Sequence, residues 1–175
     1  MTIYTGKRGQ AFEYTLDYTN KLYENQGRAL INKRPTPMKI IGKTRGKQHI
    51  CVFDKKSTVD YDGIYAGCAI TFEAKTTEKK SFPLSMLTEH QVKYLNEAEK
   101  QRAISFVIVE MRALRDVFLV PNNMVQKYIR KAEHGGRKSI PMDDLEIYAF
   151  MVESKNGVPL DYLSAVDRLI AAETA

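Results

Sequence analysis

Two cysteines and three histidines are all the thiols and imidazoles that this 175-residue chain offers for a zinc site. A pair of thiols makes no disulfide framework, and His49, His90 and His134 lack the spacing of zinc ligands. Neither a stapled scaffold nor a zinc site is therefore expected. Cys51 and Cys68 fall in predicted strands among apolar neighbours, which predicts small buried hydrophobes. No apolar run approaches bilayer length, and the opening Met1-Thr-Ile-Tyr-Thr-Gly-Lys7 has no signal-peptide core. The expected location is the cytoplasm, with no membrane partner. Internal repeats, low-complexity tracts, a P-loop and a glycine-rich dinucleotide turn are all missing, which removes support for ATP dependence. One further absence is local. From Arg28 to Phe53 there is no acidic residue, while Arg28, Lys33, Arg34, Lys39, Lys43, Arg45 and Lys47 all stand there.

That one-signed stretch belongs to a chain of formal charge +6 and pI near 9.2, a balance that favours a polyanionic partner. Met38-Lys-Ile-Ile41 and His49-Ile-Cys-Val-Phe53 flank the turn-like Gly42-Lys-Thr-Arg-Gly46, which predicts a basic β-hairpin within residues 34–55. Such a ribbon can enter a groove or the centre of a branched duplex and neutralise phosphates. A solvated edge hairpin whose lysines block aggregation is the competing reading. With 43% hydrophobic and 27% charged positions the composition is globular, and one domain over residues 1–175 suffices.

The chemistry concentrates where Asp60 precedes Glu73-Ala-Lys75. The segment Cys68-Ala-Ile-Thr-Phe-Glu-Ala-Lys75 alternates and is rich in strand formers, so Glu73 and Lys75 should share a face. Tyr61-Asp62-Gly63 and Ala66-Gly67 both carry turn chemistry and are read as the turns that fold Asp60 back beside Glu73. Two carboxylates and an amine at one point suit metal-dependent phosphodiester hydrolysis, because Mg2+ takes carboxylate and carbonyl oxygens and keeps several waters. Lys75 would orient or deprotonate the attacking water, or stabilise charge on the phosphate. Taken alone, the same residues also describe an exposed strand with an ion pair beside an ordinary turn.

Phe12, Leu16, Thr19 and Tyr23 recur at helical spacing over residues 9–26, with Gly27 as the stop. Glu13 lies just off that stripe; it either reaches the site as an additional acid or is an exposed helix carboxylate. Thr88 caps a helix over residues 89–101 that carries Gln91 in its first turn. Ile104-Ser-Phe-Val-Ile-Val109 reads as a central buried strand, joined through Arg112-Ala-Leu-Arg115 to a strand at Asp116-Val-Phe-Leu-Val120. A helix over residues 123–133 follows Pro121. Arg130, Lys131, Arg137 and Lys138 then form a second basic cluster around Gly135-Gly136, either a phosphate contact or a plain surface loop. Residues 159–172 carry Leu160, Leu163, Val166 and Ile170 on one stripe, an amphipathic helix for the core or for a dimer interface. Tyr61 and Tyr65 flank the site, with core packing as the expected role and stacking on an unpaired base as the alternative.

In order and spacing, Ser57-Thr-Val-Asp60-Tyr-Asp-Gly-Ile-Tyr65, Phe72-Glu-Ala-Lys-Thr76, Ser81-Phe-Pro-Leu84 and Glu89-His-Gln91 resemble the RecU family of Holliday junction resolvases. Arg8-Gly9, Glu13, Arg34-Pro-Thr-Pro37, Phe106-Val-Ile108, Phe118-Leu119 and Gly136-Arg-Lys-Ser-Ile140 extend the resemblance over residues 7–165. It implies a three-layer α/β, restriction-endonuclease-like core of the PD-(D/E)xK type. A mixed central sheet would be flanked by helices, with the basic hairpin projecting as a stalk. The resemblance further implies a homodimer that cuts four-way junctions and branched DNA by paired symmetric nicks in recombination and repair. Mg2+ is the implied cofactor, with Mn2+ able to substitute, and a recombinase or branch-migration helicase is a candidate protein partner. The family's metal pattern falls on Thr58, Asp60, Glu73 and Gln91, with Lys75 as the charge-stabilising amine and Glu13 as an additional catalytic candidate. Lys33, Arg34, Lys39, Lys43, Arg45, Lys47, Arg137 and Lys138 are the expected DNA contacts. Val59 stands where the superfamily signature has Pro, Asp62 where Asn is expected, and the loop before Gln91 is one residue shorter than the pattern. The alternatives are a non-catalytic branched-DNA-binding regulator and a general duplex endonuclease of the same superfamily. The intact Asp60, Glu73 and Lys75 argue against the first.

Overall fold

The computed structural model describes residues 5–43, 49–53 and 58–174. Along the chain these form α1 (Thr5–Asn25), β1 (Ala29–Lys33), β2 (Met38–Lys43), β3 (His49–Phe53), β4 (Tyr61–Tyr65), β5 (Cys68–Thr77) and β6 (Ser81–Pro83). A 3-10 turn (Leu84–Met86) leads to α2 (Glu89–Lys100), β7 (Ile104–Met111), β8 (Asp116–Pro121) and α3 (Asn122–Glu133). Then come β9 (Ser139–Pro141), α4 (Met142–Tyr148), β10 (Phe150–Met151) and α5 (Tyr162–Thr174). Six strands make a mixed sheet in the order β1-β4-β5-β7-β8-β10, in which β5 and β7 run parallel and the other neighbours antiparallel.

The two-residue period of the strands divides the core. On β7, Phe106 and Ile108 join Phe12, Leu16 and Tyr23 of α1 and Val166 and Leu169 of α5. Val107 and Val109 face the other way, onto Leu95 of α2, Met124 and Val125 of α3 and Leu145 of α4. Helices thus cover both faces, the three-layer mixed α/β arrangement anticipated from the sequence. Phe72 is the centre of the first cluster, stacked between Tyr61 at 4.8 Å and Phe106 at 5.0 Å.

The ribbon of β2 and β3 is a separate two-stranded sheet. Its apolar residues Met38, Ile40, Ile41, Ile50 and Val52 are exposed. That placement corrects the expectation for the cysteines, both of which are exposed and free. Cys51 sits on the two-stranded ribbon, whose described apolar side chains are exposed, and Cys68 is the exposed first residue of β5, opposite Tyr65. A second correction concerns Tyr61-Asp62-Gly63, which lies inside β4 rather than in a turn. Only Ala66-Gly67 reverses the chain, with φ of 49° and 79°. Gly63 is needed for close approach, because a Cβ there would stand 2.0 Å from the Leu30 carbonyl oxygen of β1.

Asp161 locks the last helix onto the first. It is 2% exposed and accepts from Tyr23 Oη at 2.9 Å, Arg28 Nη1 at 3.1 Å, Asn156 Nδ2 at 2.6 Å and Ser164 Oγ at 2.6 Å. Burial works against its charge, but the hydrogen bonds from Ser164, Asn156 and Tyr23 and the charge of Arg28 outweigh it and hold its pKa below the usual range. Asp161→Asn should therefore cost about 2–3 kcal/mol near neutral pH in thermal melts. A carboxyl depressed in the folded state stabilises above its unfolded pKa of about 3.9 and loses that contribution as pH falls. The gap in Tm between the two proteins should then close below about pH 4; a gap independent of pH would show that the carboxylate charge is not what matters.

Candidate active site

Glu73 occupies a core position. It pairs in register with Val107 of β7 and is 0% exposed, so an acid stands where the neighbouring strand places valine. Lys75, one strand repeat further on, donates from Nζ to Glu73 Oε1 at 2.5 Å. Asp60 lies just ahead of β4, and its Oδ2 accepts from the Ala74 amide at 3.1 Å, which fixes it between the two. The three side chains that the alternation and the turn at Ala66-Gly67 were expected to gather therefore do meet.

The electrostatics of this cluster ask for a cation. Burial raises the pKa of Glu73 to about 8, the Lys75 ammonium opposing the shift and the Asp60 carboxylate reinforcing it. Glu73 Oε2 is buried and has no hydrogen-bond partner. An acceptor left without a donor beside a second acid fits a hard divalent ion that uses one or two carboxylates and keeps its own waters. Among the described residues no three His, Cys, Asp or Glu side chains cluster to hold a metal.

Gln91 reaches the same point from α2. Its Oε1 accepts from the Thr88 amide at 2.9 Å and the Thr88 hydroxyl at 2.8 Å, which closes the helix N-terminus, and its Nε2 donates to Glu73 Oε1. In this arrangement the amide nitrogen, not the oxygen, faces the acids. Thr58 Oγ1 accepts from Arg34 Nη1 at 2.7 Å. Glu13 lines, with Phe12, Ala74, Lys75 and Thr76, a cleft of about 410 Å³. Its carboxylate, however, is drawn to Lys33 Nζ at 2.7 Å.

The expected DNA-contacting cations divide into two groups. Lys33 is paired with Glu13 and Asp17, and Arg34 with Asp62. Lys39 on the ribbon and Arg137 and Lys138 after α3 are exposed. The Lys138 carbonyl accepts from the Leu84 amide at 3.1 Å, which brings the second basic cluster toward the segment leading into α2. Lys43 ends β2, while Arg45 and Lys47 lie outside the described residues. Thr88 was expected only as the helix cap, and neither Asp62 as an ion-pair partner nor Tyr94 was singled out from the sequence. A signal for Asp62 was present, since residues 60 and 62 share strand parity and a second acid so close needs its own counter-charge.

Comparison with known proteins places this geometry in a lineage. The model of the family described as recombination protein U, RecU, matches residues 7–168. A protein of Pediococcus pentosaceus named Holliday junction resolvase RecU is 37% identical over 94% of this chain and 85% of its own length. Proteins of the same name from a Geobacillus strain and from Staphylococcus aureus are 36% and 34% identical, over 94% and 97% of this chain and 85% and 84% of theirs. A family match over residues 7–168, with relatives 34–37% identical over nearly the whole chain, means that this chain belongs to the RecU family.

Proposed function

We propose that this chain is a Mg2+-dependent, structure-specific endodeoxyribonuclease that resolves Holliday junctions by paired symmetric nicks during recombination and repair. The observation that carries the reading is the buried Glu73 carboxylate, with one oxygen unpartnered, held beside Asp60 and Lys75. Asp60 and Glu73 would hold the ion, with Thr58 and a rotated Gln91 amide as further oxygen donors. A bound divalent ion supplies Lewis-acid polarisation of the phosphate and a low-pKa water. Lys75 offers a fixed positive charge against the phosphate, and the burial of Glu73 keeps bulk water from competing for the cluster. Glu13, which lines a cleft together with Lys75, would release Lys33 to DNA and turn toward the acids as an additional catalytic carboxylate.

Residues 1–175 act as one nuclease domain in this reading, with residues 34–55 as the stalk. A closed homodimer supplies two sites related by a two-fold axis, the symmetry that paired nicks in a two-fold junction require. Exposed Lys39, Arg137 and Lys138, together with Lys43, Arg45 and Lys47, contribute phosphate contacts that place the junction by shape. The exposed apolar side chains that alternate with the ribbon's cations suit the open centre of a branch better than a continuous duplex groove.

The test is a synthetic four-way junction set beside a linear duplex of the same sequence, each with Mg2+, with Mn2+ and with chelator. Two symmetric nicks in the junction, abolished by chelator and restored by either metal, are the expected result. Equal cutting of the duplex would replace the reading with a general endonuclease, and tight junction binding without incision would replace it with a regulator.

A further inference from the structure

A cation reserved for a DNA phosphate should hold its donors toward solvent, and Arg34 does not. Nε and Nη2 donate to Asp62 Oδ2 at 2.7 and 2.5 Å, Nη1 to Thr58 Oγ1 at 2.7 Å, and Nη2 also to Tyr94 Oη at 3.0 Å on α2. Four bonds occupy a guanidinium that has five N–H donors. Its carbon lies 5.1 Å from the centroid of the Tyr94 ring, which adds a cation–π contact from the helix that carries Gln91. The main chain contributes as well: the Arg34 amide donates to the Asp60 carbonyl at 2.8 Å. Thr58 and Asp62 stand two residues to either side of Asp60. One side chain therefore grips both flanks of the acid while the backbone grips its middle.

The same residue lies at the root of the ribbon. Pro35-Thr36-Pro37 leads from Arg34 into β2, and Thr58 follows β3 in the chain, so the Arg34–Thr58 bond ties the ribbon's entry to its exit beside Asp60. Asp62 supplies the charge that pins the fork.

We propose that Arg34 is a positioning residue for Asp60 rather than a phosphate contact. By clamping Thr58 and Asp62 it sets the Asp60 carboxylate beside Glu73 at the base of the ribbon. The inference rests on the nuclease reading above, and it is separable from it by experiment. A lysine cannot replace the fork, because one ammonium cannot span a carboxylate, a hydroxyl and a phenol in fixed geometry.

Junction affinity, measured without divalent metal across a salt series, and single-turnover cleavage across a Mg2+ series together distinguish the two roles. Arg34→Gln is expected to slow cleavage roughly 10- to 100-fold and to raise the Mg2+ concentration at half-maximal rate, as loss of a residue that orients a metal ligand does. Its junction Kd should stay within about twofold and its salt slope unchanged, whereas Lys39→Gln should weaken binding and lower the slope by about 0.9. Arg34→Lys should be as slow as Arg34→Gln, and Asp62→Asn, which leaves Arg34 in place, should reproduce part of the loss. A salt slope reduced by about one in Arg34→Gln, a full rate in Arg34→Lys, or a wild-type rate in Asp62→Asn would each overturn the positioning role. A wild-type chain that cuts nothing would instead remove the nuclease reading itself.

Discussion

Replacing Glu73 by glutamine is expected to lower single-turnover junction cleavage by roughly a thousandfold while leaving Tm, measured in chelator, unchanged or higher. The two halves of that expectation come from the same placement. Glu73 is fully buried, opposite Val107, and one of its oxygens has no donor. A carboxyl in such a position costs the fold several kcal/mol near neutral pH, either as desolvation of the charge or as the proton taken up at a pKa raised to about 8, and the contacts of its other oxygen with Lys75 and Gln91 offset that only in part. Glutamine keeps the shape and removes the charge, so the fold loses nothing it depends on. Cation binding loses one of its two acids. Residues held for function at the expense of stability behave in this way, and those held for stability do not. A Glu73→Gln protein that melts several degrees lower would show the acid to be part of the architecture. One that still cuts at near the wild-type rate would remove it from the site. Junction binding should be retained, since the exposed cations of the ribbon and of the loop after α3 are untouched.

The placement of Glu73 was legible in the sequence because it needed only the strand period: residues two apart on β5 share a face, and the alternating Phe72, Ala74 and Ile70 fix which face is apolar. The place of Gln91 in the first turn of a helix capped by Thr88 was legible locally, but its approach to the acids followed only from the family resemblance. The central strand, which runs Ile104–Met111, announced itself over Ile104–Val109 by an apolar run that only Ser105 interrupts. What could not be read depends on the third dimension. Lys33 and Arg34 look like free cations until the antiparallel pairing of β1 with β4 sets Lys33 opposite Tyr61 and brings Arg34 to Asp60 and Asp62. The cysteines look buried until the sheet's layers are known. Strands of three residues, such as β6 and β9, carry too little pattern to be seen, and α4, seven residues after a proline, is too short for helical periodicity to emerge. Asp62-Gly63 misleads for another reason: turn chemistry and close strand approach both call for glycine, and only the neighbour's backbone distinguishes them.

That distinction carries the largest structural prediction. Gly63→Ala should destabilise the protein by roughly 4–5 kcal/mol, lowering Tm by about 10–15 °C, an effect of the size seen only when a substitution meets a named obstacle. The obstacle is the Leu30 carbonyl oxygen at 2.0 Å, with the Ile31 Cα at 2.8 Å, both of them backbone atoms of β1 that cannot step aside without opening the strand pair. Gly67 provides the control, since its φ of 79° makes alanine there cost only about 1–2 kcal/mol of conformational strain, with nothing within 4 Å to collide. The damage at Gly63 should also spread in one direction. β1 is the edge strand, so it can be pushed outward while β5, β7 and β8 stay paired. Its far end carries Arg34, whose amide continues the pairing to the Asp60 carbonyl. Amide exchange in Gly63→Ala should therefore quicken along Ala29–Lys33 well before it does along Ile104–Met111, and the residual cleavage rate at a temperature where the protein is still folded should fall with it. Uniform loss of protection over both strands would mean that β1 and the central sheet melt as one unit, and that the edge strand does not report separately to the acids.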